Sequence, residues 1–205
     1  MKEYLERSIS YSEYISLIDQ LVAEGKTTGP NQSESLAHFT KLNAHRMHRL
    51  AKTIELDEDV VELAAANSVK QTWLIITEAW CGDAAQNIPV IEKIAAESDI
   101  IETRYIFRDE NLELMDRFLT NSARSIPKLI ALDSDTLEVV WTWGARPVEA
   151  QTLYESLRAD NMPKAEILEY MQRWYNDDRG RSVGREFTEF LAVIGGRKTA
   201  GAASN

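Results

Sequence analysis

The stretch Glu78-Ala79-Trp80-Cys81-Gly82-Asp83-Ala84 holds the only cysteine among 205 residues. A cysteine is a nucleophile only as its thiolate, and a strand-to-helix turn lets a helix N-terminus stabilise that charge. The apolar run Thr72 to Thr77 precedes Cys81 and a helical pattern follows it, which puts the thiol at such a turn. The same stretch carries opposing influences. Asp83 sets a like charge beside the sulfur and Glu78 is a second carboxylate; both raise a thiol's pKa. No Lys or Arg lies in the motif, though Lys128, next to Pro127, could approach. The sign of the net shift does not follow from these residues. A lone cysteine is also commonly a small buried hydrophobe, and that reading stands beside the nucleophile.

Other residues offer weaker chemistry. His38, His45 and His48 share one helical segment, and His45 and His48 have the spacing of a metal pair. No carboxylate or cysteine completes a ligand set on that face, so a solvated basic face is the favoured reading and no metal is expected. Trp141 and Trp143 alternate along a strand and share a face; core packing is the plain reading, a lining beside the thiol the sharper one. No phosphate-binding glycine loop, Ser-His-Asp arrangement or paired glycosidase-like carboxylates appear, and no cofactor is expected.

Composition sets the wider bounds. The net charge of −10 argues against nucleic-acid or anionic-membrane partners. No apolar run reaches the roughly 18 residues of a membrane span, and Met1 to Arg7 contains acids and no apolar core of a secretory signal. A single cysteine forms no internal disulfide, so a reducing cytoplasm is the expected setting.

The elements that must position Cys81 follow from periodicity. Helical spacing runs over 10–24, 35–54 and 57–66, with Ser12 as a start and Gly25 as a stop for the first. Strands are expected at 72–77 and 101–107, with a helix over 83–97 between them. A helix over 111–120 follows. An antiparallel hairpin at 128–132 and 137–143 turns at Asp133-Ser134-Asp135. Helices over 147–159, 163–177 and 182–194 complete the chain. A parallel pair joined by a helix, then a hairpin, makes a mixed sheet covered by helices.

Four features at matching positions then carry a resemblance. Trp80-Cys81-Gly82, Pro89 eight residues after the cysteine, Ile126-Pro127 before the hairpin, and Gly144 after the last strand together resemble the thioredoxin superfamily. More narrowly, Trp-Cys-Gly-Asp-Ala, Arg-Ser-Ile-Pro-Lys and Trp-Gly-Ala-Arg-Pro are similar to bacterial thioredoxin-like proteins with a helical N-terminal extension. The resemblance implies an α/β thioredoxin-like three-layer sandwich with a mixed sheet, a core over 69–160 and an N-terminal helical extension over 1–68; periodicity and composition add C-terminal helices over 161–195 and a flexible tail over 196–205. It implies a cis Pro127 that faces Cys81. It also exposes departures: the resolving cysteine is Ala84, the motif proline is Asp83, and the buried strand acid is Ile75.

Two functions follow as expectations. In the first, Cys81 is the nucleophile of a monothiol oxidoreductase acting on protein or small-thiol mixed disulfides. An outside thiol supplies the second step, since thiol–disulfide exchange needs two thiols. Trp80, Gly82, Asp83, Ile126 and Pro127 bind the substrate, with the Gly82 and Asp83 N–H groups turned to the sulfur. In the alternative, the chain is a redox-inactive thioredoxin-fold interaction protein and the extensions are its functional additions. A homodimer through the extensions is compatible with the sequence and not required by it.

Overall fold

The computed structural model describes residues 1–202, with side chains to residue 193. Four helices, α1 (Lys2–Arg7), α2 (Tyr11–Glu24), α3 (Glu34–Thr53) and α4 (Glu58–Ala65), lead into strand β1 (Gln71–Thr77). Helix α5 (Gly82–Ala96) crosses to the parallel strand β2 (Ile101–Phe107), and α6 (Leu112–Asp116) follows. Strands β3 (Lys128–Asp133) and β4 (Val139–Trp143) form the hairpin, and α7 (Val148–Ala159), α8 (Lys164–Asp178) and α9 (Arg181–Ala202) come last. The sheet order is β2-β1-β3-β4, with β1 parallel to β2 and antiparallel to β3. This is the expected mixed sheet flanked by helices, a thioredoxin-like α/β sandwich with helical extensions. The tail expected over 196–205 falls beyond the described side chains, and residues 203–205 lie outside the described residues.

Strand β1 is buried along its whole length, as its continuous apolar run requires of a central strand. Trp73 and Trp141 meet edge-on at 5.4 Å, and Phe187 of α9 packs against both. Trp141 stacks on Phe190 at 4.6 Å. Both indole N–H groups donate to Gln71 Oε1, at 3.1 and 3.0 Å. Trp143 also meets Phe187, so the tryptophan pair of β4 binds α9 to the sheet and does not line the thiol. Residues of α7 and α8 (Ala150, Leu157, Ile167, Met171 and Tyr175) form a separate small core.

Two boundaries differ from expectation for local reasons. Helix α2 starts from Ser10, not Ser12, because a capping box needs its acid three residues on. Glu13 Oε2 accepts from the Ser10 N–H at 2.7 Å, and Ser10 Oγ accepts from the Glu13 N–H at 3.3 Å. Helix α6 stops at Asp116, well short of residue 120, because the chain turns back: Asn121 and Ser122 have positive φ and Thr120 bridges to Ala123. An unexpected addition is Ile9, which exchanges two backbone hydrogen bonds with Tyr105, at 2.9 and 2.8 Å, along the outer edge of β2.

Candidate functional site

The turn between β1 and α5 is held from the N-terminal extension. Thr28 donates its hydroxyl to Glu78 Oε2 and accepts the Ala79 N–H at 2.9 Å. Asn43 of α3 donates to the Ala79 carbonyl at 3.0 Å. The Asp109 N–H donates to Glu78 Oε1 at 2.8 Å. Burial pushes the Glu78 carboxyl upward, opposed by these hydrogen bonds. Glu78 thus ties three segments together and is not among the largest influences on the thiol.

Cys81 is the N-cap residue of α5, as the strand-to-helix pattern predicts. Its sulfur accepts the Ala84 N–H at 3.4 Å, and its thiol donates to the Ile126 carbonyl at 3.2 Å. Only 8% of the residue is exposed. Burial, with Asp83 second, pushes the thiol up to about 12 against the Ala84 N–H, Arg146 and the Asp83 N–H. Desolvation therefore decides the sign that the sequence leaves open. Of the two expected donors, the Asp83 N–H only eases the thiol downward and Gly82 does not figure; the hydrogen bond comes from Ala84. Lys128 does not approach the sulfur, because its ammonium donates to the Gly144 carbonyl at 2.9 Å.

The cation that pairs with the motif's carboxylate is Arg146. It pairs with Asp83 at 2.6 Å and lies 3.9 Å over the Tyr154 ring. The other Asp83 oxygen accepts the Tyr175 hydroxyl at 2.8 Å, and Asn87 donates to Tyr175 at 3.2 Å. Sequence reasoning missed Arg146, Tyr154 and Tyr175 as members of the site. The motif Trp-Gly-Ala-Arg-Pro is the one local signal that points to Arg146.

Above the turn opens a cavity of about 770 Å³. Trp80, Cys81, Gly82, Asp83 and Ile126 line it. Leu36, Phe39 and Arg46 of α3 contribute from the N-terminal extension, and α7, α8 and their connection contribute from the C-terminal side. Of the six expected site residues, only Pro127 is absent from the lining. It is buried, its peptide bond to Ile126 is cis, and its carbonyl lies against Gly144. The Gly144–Ala145 peptide is cis as well.

Gly144 has φ +110° and a Cβ there would overlap the Pro127 carbonyl oxygen. Gly144→Ala is therefore expected to destabilise the fold by about 3 kcal/mol, a melting-temperature drop of about 10 °C in calorimetry. A drop under about 2 °C would show that the two loops are free to separate.

A family model described as thioredoxin matches residues 29–160. The chain belongs to the thioredoxin family. The match begins just before α3, so family character extends into the helical N-terminal segment. A 1.5 Å crystal structure of a protein of unknown function from Pseudomonas aeruginosa is similar at 19% identity and a TM-score of 0.55, covering 92% of this chain and 99% of that one. An HIV epitope-scaffold is similar at 18% identity and a TM-score of 0.54, with the same coverage. No curated protein matches.

In this chain the dithiol parts are replaced by packing. Ala84 is 1% exposed where the resolving thiol would be, and Ile75 is fully buried where the acid would be. The expectation of a monothiol oxidoreductase is corrected by the same geometry: the lone thiol is buried, protonated and hydrogen-bonded to a carbonyl, so it presents no thiolate for attack. The histidines do not gather. His48 pairs with Asp19 of α2 at 2.8 Å, and no group of three metal-binding side chains occurs among the described residues. No helix among the described residues is long and apolar enough to cross a membrane.

Proposed function

We propose that the chain is a redox-inactive, thioredoxin-fold binding protein whose site is the cavity over the β1–α5 turn. The observation that carries this is the Cys81 thiol donating to the Ile126 carbonyl at the floor of that cavity. The sulfur serves as a packed, hydrogen-bonded floor residue, while the space above it is walled by the extensions. Trp80, Gly82, Asp83 and Ile126 are the binding residues, with Pro127 positioning Ile126 from behind. The added helices, on this reading, make the site and do more than cover the sheet. The narrower kinship to bacterial single-cysteine thioredoxins with a helical extension fits the same picture, as does a core over 69–160 with helical segments on both sides.

The test is direct. Folded protein incubated with oxidised glutathione is expected to show no added glutathione by intact-mass spectrometry, whereas the urea-unfolded chain gains one. A ligand or partner recovered with the protein is expected in equal amount with Cys81→Ala. Rapid glutathione addition to the folded chain, or loss of the partner in a well-folded Cys81→Ala, would sink the reading.

A further inference from the structure

Resting on this binding reading, we infer that the cavity takes a small amphipathic ligand with an anionic head, a phosphate or a carboxylate. The charge of the wall is opposite to the charge of the chain. The protein has 33 Asp and Glu against 23 Lys and Arg. Yet the cavity is lined by Arg46, Arg108, Arg124, Arg146, Arg158 and Lys164, with Asp83 as the single carboxylate among the described lining residues.

That carboxylate is already used. One oxygen of Asp83 pairs with Arg146 at 2.6 Å and the other accepts from Tyr175 at 2.8 Å. Arg108 and Arg124 face Asp109 and Asp116, at 2.7 and 2.6 Å, both outside the lining. Arg46, Arg158 and Lys164 have no carboxylate within ion-pair distance among the described residues. The side chain of Arg46 donates to Asn43 Oδ1 at 3.1 Å, and its guanidinium is the one neighbour a Cβ on Gly82 would meet, at 3.8 Å. Arg46 is half-buried, while Arg158 and Lys164 are exposed at the mouth. For Arg46 a partly buried cation with no counter-ion is unfavourable, and an entering oxyanion supplies the missing partner; the other two add attraction without that cost. Guanidinium groups suit phosphate and carboxylate because their planar forks bind two oxygens at once.

The cations come from both sides. Arg46 belongs to α3, Arg158 to α7 and Lys164 to α8. The lining also has an apolar share, Leu36 and Phe39 from α3 and Met162, Ile167, Leu168 and Met171 from the C-terminal side, beside the neutral polar Gln86, Ser125, Asn161 and Gln172. An anionic head with an apolar body matches this division. The volume of about 770 Å³ falls in the range of about 300–1,000 Å³ typical of small-molecule sites, which favours a small molecule over a macromolecular chain.

The experiment is titration calorimetry of the full chain with hexyl phosphate, hexanoate and hexanol. At least one of the two anions is expected to bind roughly tenfold or more tightly than hexanol, and to weaken as salt is raised. The stronger of the two identifies the head group. Arg46→Gln and Lys164→Gln, with circular dichroism confirming their folds, are each expected to weaken that anion roughly tenfold and leave hexanol unchanged. Hexanol binding as tightly as both anions, anion binding untouched by both variants, or no anion binding at all would overturn the charge preference. Equal binding of all three would still leave a binding cavity. Glutathione addition to folded Cys81 would remove the redox-inactive reading instead.

Discussion

At pH 8, iodoacetamide is expected to modify Cys81 in the folded protein about a thousandfold more slowly than in the urea-unfolded chain. The rate follows the thiolate fraction. A thiol pushed up to about 12 from about 9.0 is deprotonated about a thousandfold less at that pH. Limited access to a residue 8% exposed slows the reaction further. Stability should carry the same signature. Below pH 9 both folded and unfolded chains hold the proton, so the contribution of the neutral thiol is complete. Between about 9 and about 12 only the unfolded chain releases it, so stability falls by about 1.4 kcal/mol per pH unit. Burial also keeps the Tyr14 and Tyr105 hydroxyls protonated to high pH. The difference between wild type and Cys81→Ala in urea denaturation therefore isolates the thiol. Folded-state alkylation within tenfold of the unfolded rate would mean that Cys81 is neither desolvated nor held by Ile126.

Asp83→Asn is expected to cost about 3–5 kcal/mol and to lower the melting temperature by about 10 °C or more. The Asp83 and Arg146 side chains are 17% and 11% exposed, so removing one charge strands the other in a poorly solvated place. The Tyr154 ring and Gln151, which accepts from Arg146 at 3.0 Å, only partly replace a carboxylate. Replacing both partners, as Asp83→Asn with Arg146→Met, should cost less than Asp83→Asn alone, since no charge is then left unpaired. The thiol offers a second, independent readout. Asp83 raises its pKa and Arg146 lowers it, so Asp83→Asn speeds Cys81 alkylation and Arg146→Met slows it. Equal effects of both variants on the alkylation rate, or a cost below about 1 kcal/mol for Asp83→Asn, would show a pair screened by water.

The local features of this site were legible in the sequence. The β-branched run before Cys81 marks a buried strand, the helical pattern after it makes Cys81 a helix cap, and Ile126-Pro127 and Gly144 sit where the fold places them. The state of the sulfur was not legible. Asp83 and the helix end act on it with opposite sign, and what decides between them is burial, which no local pattern around Cys81 reveals. Arg146, Tyr154 and Tyr175 were missed for a related reason. They reach Asp83 or Arg146 across elements separated by tens of residues, and no local spacing encodes such a meeting. The positive lining was hidden for the same cause: its members are scattered from α3 to α8 in a chain whose overall charge has the opposite sign.

The Ile9–Tyr105 pairing has a consequence for self-association. Exposed strand edges are templates for joining further chains. In this sheet Ile9 occupies part of one lateral edge, at β2, while β4 forms the other and leaves Val139 43% exposed. A sheet with two open borders joins head to tail and grows into a filament, because each addition presents a fresh border. Where one border is obstructed, two copies that meet through the remaining one leave no second template of the same kind, and growth ends at a closed pair. Ile9 thereby denies part of the β2 border to another chain.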